Sequence, residues 1–307
     1  MEAPVVSVCI ATYKRPKSLE RLLRSLASQE VDRGVLTFEI IVVDNDGDGS
    51  ARPVVETFAR KNGYLSVIYD IEPEQNISLA RNRSVRHAKG DYIAFIDDDE
   101  EAANDWLKQL VTCMQKYSAD AVFGPVKARL PVDCPAWLRR GGFFEKPTSP
   151  DGEVLTVGRT SNALVKKYWV QEASTPFDPA FGLTGGGDSD FFRRIQGRGA
   201  KLCAAEHAMV FETIEPRRLR LSWLLARAFR GGQGYATQQL AKSGVFAKVR
   251  HILYRWCLTM AAMLLALLST PLGRHRAVYW LMKCVANIGQ LSVFLPFRYQ
   301  EYKRAGQ

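Results

Sequence analysis

The sequence predicts an α/β fold in which a mostly parallel central sheet is flanked by helices and followed by a helical C-terminal region. Short β-branched apolar runs alternate with amphipathic helical segments between Val5 and Val126, which indicates right-handed βαβ crossovers. The last third combines long apolar stretches with the whole basic excess. The 307 residues, 47% of them hydrophobic, suffice for one large or two modest domains.

Each element has its own pattern. Strands are expected at residues 5–11, 38–46, 65–71, 91–97 and 120–126. Helices are expected at residues 18–29, 52–63, 77–89 and 105–117, and another follows the glycine-rich loop in residues 183–202. Ser18 is the expected N-cap of the first helix, and Gly63 and Gly90 are expected to close the next two.

Polar residues follow three of these strands. They form the clusters Thr12-Tyr13, Asp44-Asn45-Asp46 and Asp97-Asp98-Asp99. In parallel sheets, ligands bind in the crevice outside the carboxyl ends of the strands. We therefore expect the three clusters to converge on one crevice.

The acidic run from Asp97 to Glu100 comes directly after the apolar strand YIAFI. Most charge runs are solvated turns, but a strand this apolar is not typical of the edge of a sheet. Alternate carboxylates at a strand end can bind a hard divalent cation and leave positions open for substrate phosphates. The sequence therefore favours a metal site.

The turns after the first two strands suit a nucleotide. Thr12 could cap the strand. Tyr13 could stack on a base, and Arg15 could pair with a phosphate. Asp44 could bind a base or ribose, or it could form an Asx turn or a helix cap. The first turn has no GxGxxG motif, which argues against NAD chemistry.

A glycine-rich loop, residues 185–187, presents Asp188 at a helix start. Glycines let the backbone approach a ligand closely, and Asp188 could cap the helix and also serve as a base. Asp190 could simply favour the helix macrodipole. Arg81 could be a surface charge, but it lies on the crevice side if its helix runs from the carboxyl end of a strand, where a guanidinium would suit a diphosphate. His207 is expected to be structural.

These motifs, in this order, resemble those of family 2 glycosyltransferases with a GT-A fold, and more narrowly the bacterial exopolysaccharide glucosyltransferases of the succinoglycan type. The stretches that carry the resemblance are VSVCIATYKRP, IIVVDND, ISLARNRSV, DYIAFIDDDE, TGGGDSDFFRR and RRLRLSWLLARAFRGGQGYA. They cover about residues 4–235.

The resemblance implies a metal-dependent, inverting transfer from a nucleotide sugar, with a UDP-hexose as the expected donor. Asp97 would face the ribose, Asp99 would hold Mg²⁺ or Mn²⁺ against the diphosphate, and Asp188 would deprotonate the acceptor hydroxyl. The other expected contacts with the nucleotide sugar are Thr12, Tyr13, Arg15, Asp44 at the base, Arg81 and Asp98.

Two positions depart from the family pattern. The glutamate that precedes the base is Gly187 here, so the base assignment rests on Asp188 alone. The histidine that often binds the metal is replaced by Glu212, which leaves the last ligand open between Glu212 and His207. Further candidates for contact with the acceptor or a phosphate are Trp137, Asn162, Asp190, Arg227 and Arg230. A solvated helix face would explain the two arginines almost as well.

The C-terminal region has two apolar stretches. Residues 256–273 carry no charge and residues 277–297 carry only Lys283, a length that suits membrane segments of ~20 residues. Two buried core helices are the alternative. The basic turn at 274–276 conflicts with a spanning hairpin, so we expect helices that lie in the cytoplasmic leaflet. The expected contacts with anionic headgroups are Lys248, Arg250, Arg255, Arg274, Arg276, Arg298, Lys303 and Arg304.

These features predict a GT-A domain at residues 1–213, with a nucleotide-binding half at 1–100 and an acceptor half at 101–213, followed by a membrane-association region at 214–307. The acceptor is expected to be a polyprenyl-diphosphate-linked glycan on the cytoplasmic face of a bacterial inner membrane. The basic excess accompanies apolar helices rather than aromatic platforms, which argues against nucleic acid. The alternatives are a sugar nucleotidyltransferase and a catalytically inert membrane-bound scaffold.

Overall fold

The computed structural model describes residues 4–32, 34–171, 175–240 and 244–295. They form two compact units. The sheet unit comprises residues 4–128 and 146–212, and the helical unit comprises residues 129–145 and 213–295. A single boundary after residue 213 therefore misses the segment 129–145, which packs with the C-terminal helices.

The sheet unit contains two sheets. The main sheet consists of β1 (Val5–Thr12), β2 (Thr37–Asp44), β3 (Ser66–Ile71), β4 (Tyr92–Phe95), β6 (Ala121–Phe123), β8 (Ala163–Lys166) and β9 (Leu202–Ala204). Its order is β3-β2-β1-β4-β8-β6-β9, and β8 runs antiparallel to both of its neighbours. The second sheet consists of β5 (Glu100–Ala102), β7 (Val126–Arg129) and β10 (Val210–Thr213), in the order β5-β10-β7.

The helices divide between the two units. Those of the sheet unit are α1 (Pro16–Ala27), α2 (Arg52–Lys61), α3 (Ile77–His87), α4 (Trp106–Lys116), α6 (Lys167–Gln171) and α7 (Gly187–Gln196). Those of the helical unit are α5 (Ala136–Gly141), α8 (Leu221–Leu240), α9 (Val245–Leu268) and α10 (Arg274–Leu291).

Alternate side chains of the central strands pack into two cores on opposite faces of the main sheet. Val6, Val8 and Ile10 belong to the core that includes α1, α2 and α4. Cys9 and Ile41 belong to the core that includes α3 and α7. Helices thus cover both faces, as predicted, and the carboxyl ends of the parallel strands remain for the site.

Two of the predicted helix caps are wrong. α1 begins at Pro16, so Ser18 lies inside its first turn. The C-cap of α3 is Ala88. Gly90 has a different role, because a Cβ there would lie 2.6 Å from the Val5 carbonyl oxygen. Only glycine allows the backbone to approach β1 this closely.

The predicted strand at residues 120–126 is two strands in different sheets. The chain leaves β6 at Gly124 and Pro125 and enters β7. Pro125 has no N–H for a sheet ladder. A Cβ at Gly124 would lie 2.0 Å from the Ala208 carbonyl oxygen. These two residues break a run whose apolar character suggested one strand.

In the helical unit, α10 packs against α5, α8 and α9. Glycines bring α8 and α10 together. A Cβ at Gly232 would lie 2.0 Å from the Ala286 carbonyl oxygen, and a Cβ at Gly289 would lie 2.1 Å from the Phe229 carbonyl oxygen. The helices of this unit therefore form a closely packed bundle.

In the described part of the chain, α9 is the one helix that passes the length and composition test for a membrane-spanning segment. Its apolar side chains are largely exposed, with 63% of Leu253 and 65% of Leu267 accessible. The second predicted apolar stretch corresponds to α10, which packs between neighbours. Arg298, Lys303 and Arg304, predicted to contact headgroups, lie outside the described residues.

Candidate active site

The carboxylates after β4 lie against the turn that follows β1, as the strand positions predicted. Thr12 donates a hydrogen bond from Oγ1 to Asp98 Oδ2 at 2.8 Å. Arg15 Nη1 donates to Asp98 Oδ1 at 3.0 Å and to Asp99 Oδ2 at 3.1 Å. Because β1 and β4 are neighbours in the sheet, their carboxyl ends bring these four residues together.

α3 supplies a second arginine to the same carboxylates. Arg81 Nη2 lies 3.4 Å from Asp97 Oδ1, and its side chain is only 15% exposed. The helix is fixed at its N-terminus by Asn76, whose Oδ1 accepts hydrogen bonds from the N–H groups of Ser78 and Leu79. Our sequence analysis missed Asn76, although Asn directly before an apolar periodic segment is a known N-cap signal.

Two asparagines join α3 to the loop that leads to Asp188. Asn76 Nδ2 donates to the Pro179 carbonyl at 3.0 Å. Asn82 Nδ2 donates to the Phe177 carbonyl at 2.7 Å, and the Phe177 N–H donates back to Asn82 Oδ1 at 2.9 Å. The helix that carries Arg81 therefore also positions the loop before α7.

Asp188 lies in the first turn of α7 after a loop that requires glycine. Gly185 and Gly186 have φ values of +78° and +95°, in the left-handed region. The N-cap is Gly186 rather than Asp188. Asp188 Oδ1 accepts a hydrogen bond from the Ser189 N–H at 2.8 Å.

Gly187 has a different reason to lack a side chain. A Cβ there would lie 3.2 Å from Ser78 Oγ and 3.3 Å from Phe181 Cβ. The first turn of α3 thus packs where the family usually has a glutamate side chain. A side chain at position 187 would therefore require Ser78 or Phe181 to shift by a few tenths of an ångström.

Asp97 and Asp188 share one electrostatic environment. Loss of solvation raises the pKa of Asp97, and the charges of Asp99 and Asp188 raise it further. Arg81 and Lys146 act in the opposite direction. The charges of Arg81 on α3 and of Asp188 at the start of α7 therefore both act on Asp97, which follows β4.

Burial also shifts the other acids of this run. It raises the pKa of Asp98 to about 6, although Arg15 lowers it in part. Burial likewise raises the pKa of Glu100 well above its usual range, and the Asp97 charge adds to this. An added positive charge would stabilise the ionised forms of such a cluster.

Lys146 is a member of the site that our sequence analysis missed. Its Nζ lies 3.7 Å from Glu212 Oε2, and its charge acts on Asp97 and Glu100. Glu212 stands opposite Glu100 in the pairing of β10 with β5. No local signal marks Lys146, because it lies in an irregular stretch rich in proline and glycine.

The donor set fits a divalent cation that is also bound by substrate. Carboxylate oxygens are the ligands that Mg²⁺ and Mn²⁺ take. Within the described residues, no three His, Cys, Asp or Glu side chains form a complete metal-binding group. Asp97 and Asp99 supply oxygens of the kind that such a metal takes, and a diphosphate bound beside them could supply others. Glu212 borders this cluster through Lys146, whereas His207 is an exposed residue ahead of β10.

Asp44 is fully buried, and its carboxylate is engaged with protein groups. It accepts hydrogen bonds from the N–H groups of Asp46 and Ala51 and from the Tyr69 hydroxyl, at 3.1, 2.7 and 3.1 Å. This is the turn-and-cap role left open above, and contact with a base stays a prediction. Tyr13 lies in the turn after β1, with the Lys14 ammonium 5.6 Å from its ring centroid.

Asn162 and Asp190 make structural contacts within the sheet unit, and their contact with acceptor or phosphate stays a prediction. Asn162 is completely buried, accepts from Trp106 Nε1 at 2.7 Å and donates to the Ala208 carbonyl at 2.7 Å. Asp190 pairs with Arg193 and Arg194 on the surface of α7, at 3.1 and 2.8 Å.

Trp137, Arg227 and Arg230 belong to the helical unit. Trp137 is on α5, and the Arg274 guanidinium lies 4.5 Å from its ring centroid. Arg227 and Arg230 are on α8, where Arg227 stands 5.4 Å from the Trp223 ring. Contact of these three residues with the acceptor or a phosphate stays a prediction.

The central sheet, the acidic run after β4 and the glycine loop before Asp188 define a GT-A glycosyltransferase. The chain belongs to glycosyl transferase family 2, whose model matches residues 7–173. Membership favours glycosyl transfer over the nucleotidyltransferase and inert-scaffold alternatives.

Three known proteins show the extent of the similarity. The chain is 37% identical over 229 residues to the succinoglycan biosynthesis protein ExoM of Rhizobium meliloti, covering 74% of this chain and 73% of that protein. It is 26% identical over 113 residues to the GalNAc(5)-diNAcBac-PP-undecaprenol beta-1,3-glucosyltransferase of Campylobacter jejuni, 37% of this chain and 34% of that protein. The mannosyltransferase PcManGT of Pyrobaculum calidifontis, solved with GDP-Man and Mn²⁺, has a TM-score of 0.68 at 19% identity, covering 96% and 88% of the two chains.

Proposed function

We propose that this glycosyltransferase moves a hexose, with inversion, from a nucleoside-diphosphate sugar to a polyprenyl-diphosphate-linked glycan in bacterial exopolysaccharide synthesis. UDP-hexose is the expected donor. The observation that carries the proposal is the convergence of the β4 carboxylates and two arginines at one edge of the sheet, where the charge of Asp188 also acts on Asp97. The similarity to a succinoglycan biosynthesis protein and to a glucosyltransferase with an undecaprenol-linked acceptor supports the pathway and acceptor class.

The chemistry follows from the residue types. Asp188 accepts the proton of the acceptor hydroxyl as the oxygen attacks the anomeric carbon. The bond from that carbon to the phosphate oxygen breaks, and its electron pair leaves with the diphosphate. The carboxylates after β4 bind the diphosphate and Asp188 acts as the base, so none of them acts as a nucleophile. The transfer is therefore a single displacement with inversion. An α-linked nucleotide sugar would give a β-glycoside.

The charged residues around the acids have distinct roles in this proposal. Asp99, with Asp97 beside it, would hold Mg²⁺ or Mn²⁺, which neutralises charge on a departing diphosphate when bound. Glu212 is the candidate for the last protein ligand. Arg15 and Arg81 partly neutralise the acids when no substrate is bound and would pair with phosphate oxygens of the donor.

We also propose that the helical unit attaches the protein to the cytoplasmic leaflet without spanning it. The turn between α9 and α10 packs against α5, since Arg140 of α5 and Leu272, His275 and Arg276 line one recess. α5 lies in segment 129–145, which is joined at both ends to residues of the sheet unit and has no apolar run long enough to cross a bilayer. This topology favours a turn on the same side of the membrane as the active site.

A thermal-shift titration tests the donor site. UDP, GDP, CDP and dTDP are added with and without Mn²⁺ to the intact protein and to Asp99→Ala. We expect one nucleotide to raise the melting temperature only with metal, and Asp99→Ala to abolish the shift. Absence of any shift with all four nucleotides would contradict the donor-site proposal.

Carbonate extraction tests the attachment. We expect carbonate or high salt to release part of the protein from membranes, and the purified protein to need detergent. Complete carbonate resistance, with the 274–276 turn labelled from outside, would show a spanning hairpin instead.

A further inference from the structure

The helical unit contains a basic recess at the start of α10 that the catalytic proposal does not use. It has a volume of about 290 Å³ and lies between α5 and the turn before α10. This volume is near the lower end of the range for ligand pockets, about 300 Å³. Arg140, His275 and Arg276 line it together with the rings of Tyr279 and Trp280.

The charge of this recess is not balanced by nearby acids. Neither Arg140 nor Arg276 has a carboxylate within ion-pair distance among residues 4–32, 34–171, 175–240 and 244–295. Residues 129–145 and 213–301 carry 16 Lys and Arg against 4 Asp and Glu. The recess also opens at the N-terminus of α10, where the helix dipole adds positive potential. The arginines of the recess and the N-terminus of α10 would therefore favour an anionic ligand.

The surface around the recess is apolar. Leu272, which lines it, is 58% exposed, and Leu267 and Leu268 at the end of α9 are 65% and 61% exposed. Tyr and Trp with one apolar and one polar side are typical of the membrane interface. An anion bound here would therefore stand beside a surface that suits acyl chains.

We propose that this recess binds the phosphate of an anionic phospholipid headgroup, with the lipid chains against the exposed leucines of α9. The inference rests on the membrane attachment proposed above and adds a defined site to it. Arg140 and Arg276 contact phosphate oxygens, and Trp280 and Tyr279 lie at the level of the glycerol backbone. Binding of one headgroup would hold the turn before α10 at the membrane surface.

Vesicle sedimentation with the full chain tests the site. Vesicles contain phosphatidylcholine alone or phosphatidylcholine with a third replaced by phosphatidylglycerol. Arg140→Gln with Arg276→Gln removes both cations of the recess. Arg139→Gln with Lys283→Gln is the matched control, because it removes the same charge from α5 and α10 outside the recess. We expect the first pair to weaken binding to phosphatidylglycerol vesicles about thirtyfold and the control pair to weaken it about threefold or less.

Two outcomes would contradict the proposal that the recess binds a lipid headgroup. Equal loss in the two double variants would mean that diffuse charge attracts the membrane. Equal binding of the wild type to both vesicle types would mean that no anionic headgroup is recognised, while attachment itself would stand. If the protein binds no vesicle at all, the attachment proposal fails as well, so the two failures can be told apart.

Chemical footprinting gives a readout that does not depend on substitutions. An arginine-specific reagent is applied with and without vesicles, and modified peptides are quantified by mass spectrometry. We expect phosphatidylglycerol vesicles to protect Arg140 and Arg276 more than Arg139. Inorganic phosphate, added without vesicles at the same ionic strength, separates the sources of phosphate: equal protection by phosphate alone would contradict recognition of a lipid.

Discussion

The ammonium group of Lys146 lies 3.7 Å from the Glu212 carboxylate, and its charge also acts on Asp97 and Glu100. Lys146 thus brings positive charge to the acidic cluster from a loop that precedes β8. In the proposed reaction this charge also favours the departing diphosphate, because an ion pair strengthens where solvent is excluded.

Lys146→Met is therefore expected to weaken nucleoside-diphosphate binding about tenfold, or about 1.4 kcal/mol, and to lower kcat/KM. Lys146→Arg should retain most of the affinity. Isothermal titration measures the binding, and Lys166→Met is the control, since Lys166 pairs with Asp120 at 3.0 Å. Unchanged affinity in Lys146→Met would place this lysine outside the donor site.

Arg15→Gln should lower stability as well as donor binding. Asp98 is 7% exposed, and Arg15 is its charged partner at 3.0 Å. A buried carboxylate without its partner costs about 1–3 kcal/mol. We expect the double variant Arg15→Gln with Asp98→Asn to regain most of the free energy of unfolding but not the donor affinity. Urea denaturation and nucleotide titration measure the two effects, and equal recovery of both would contradict a substrate role for Arg15.

Asp188 and Asp190 form a natural pair for testing the base. Asp188→Asn removes the proton acceptor, so kcat should fall about 10²–10⁴-fold while nucleotide binding is retained. Asp190→Asn removes only the surface pairing with Arg193 and Arg194 and should change kcat less than about threefold. Steady-state kinetics with a lipid-linked acceptor checks both. Full activity in Asp188→Asn would require a different base.

The pH dependence of stability should depend in part on Asp70. Burial alone would raise the pKa of Asp70, but hydrogen bonds from Arg83 and His87 outweigh it and hold the pKa well below the usual range. The ionised carboxylate therefore stabilises the fold above the unfolded-state pKa of about 3.9, and this contribution is lost as pH falls toward the folded-state pKa.

Asp70→Asn should thus lower the free energy of unfolding by about 1 kcal/mol at pH 7, and the difference should shrink below about pH 4. The expected effect is small because solvent screens these partly exposed side chains. Urea denaturation across this pH range measures it, with the exposed residue Asp48→Asn as control. A difference that grows on acidification would contradict the assignment.

Sequence patterns predicted the part of the site that depends on strand order. Thr12 and Asp98 meet because β1 and β4 are adjacent, and parallel strands bring their polar ends to one edge. Lys146 and Asn162 could not be placed in this way, because both follow irregular stretches whose course is set by tertiary packing. Asn162, for example, uses its amide to join Trp106 to the Ala208 carbonyl.

Local sequence signals gave wrong predictions where one residue type can have two structural roles. Glycine after a helix suggested a cap at Gly90, whereas the structure uses it for close approach to β1. Gly124 and Pro125 lie in an apolar run. The break that they introduce depends on the close approach of Gly124 to the Ala208 carbonyl oxygen, which the local sequence does not reveal. Contacts between residues distant in sequence decide such positions, and periodicity within a segment does not report them.

The insertion of segment 129–145 into the helical unit bears on how the protein is made. α5 leaves the ribosome early, yet α10, against which it packs, is the last described helix to be synthesised. The segment between β7 and Lys146 therefore cannot complete its packing until α10 has emerged from the ribosome. Co-translational completion of the enzyme and its delivery to the bilayer would then be one event, and a chain released after residue 213 would carry α5 with no helix to dock on.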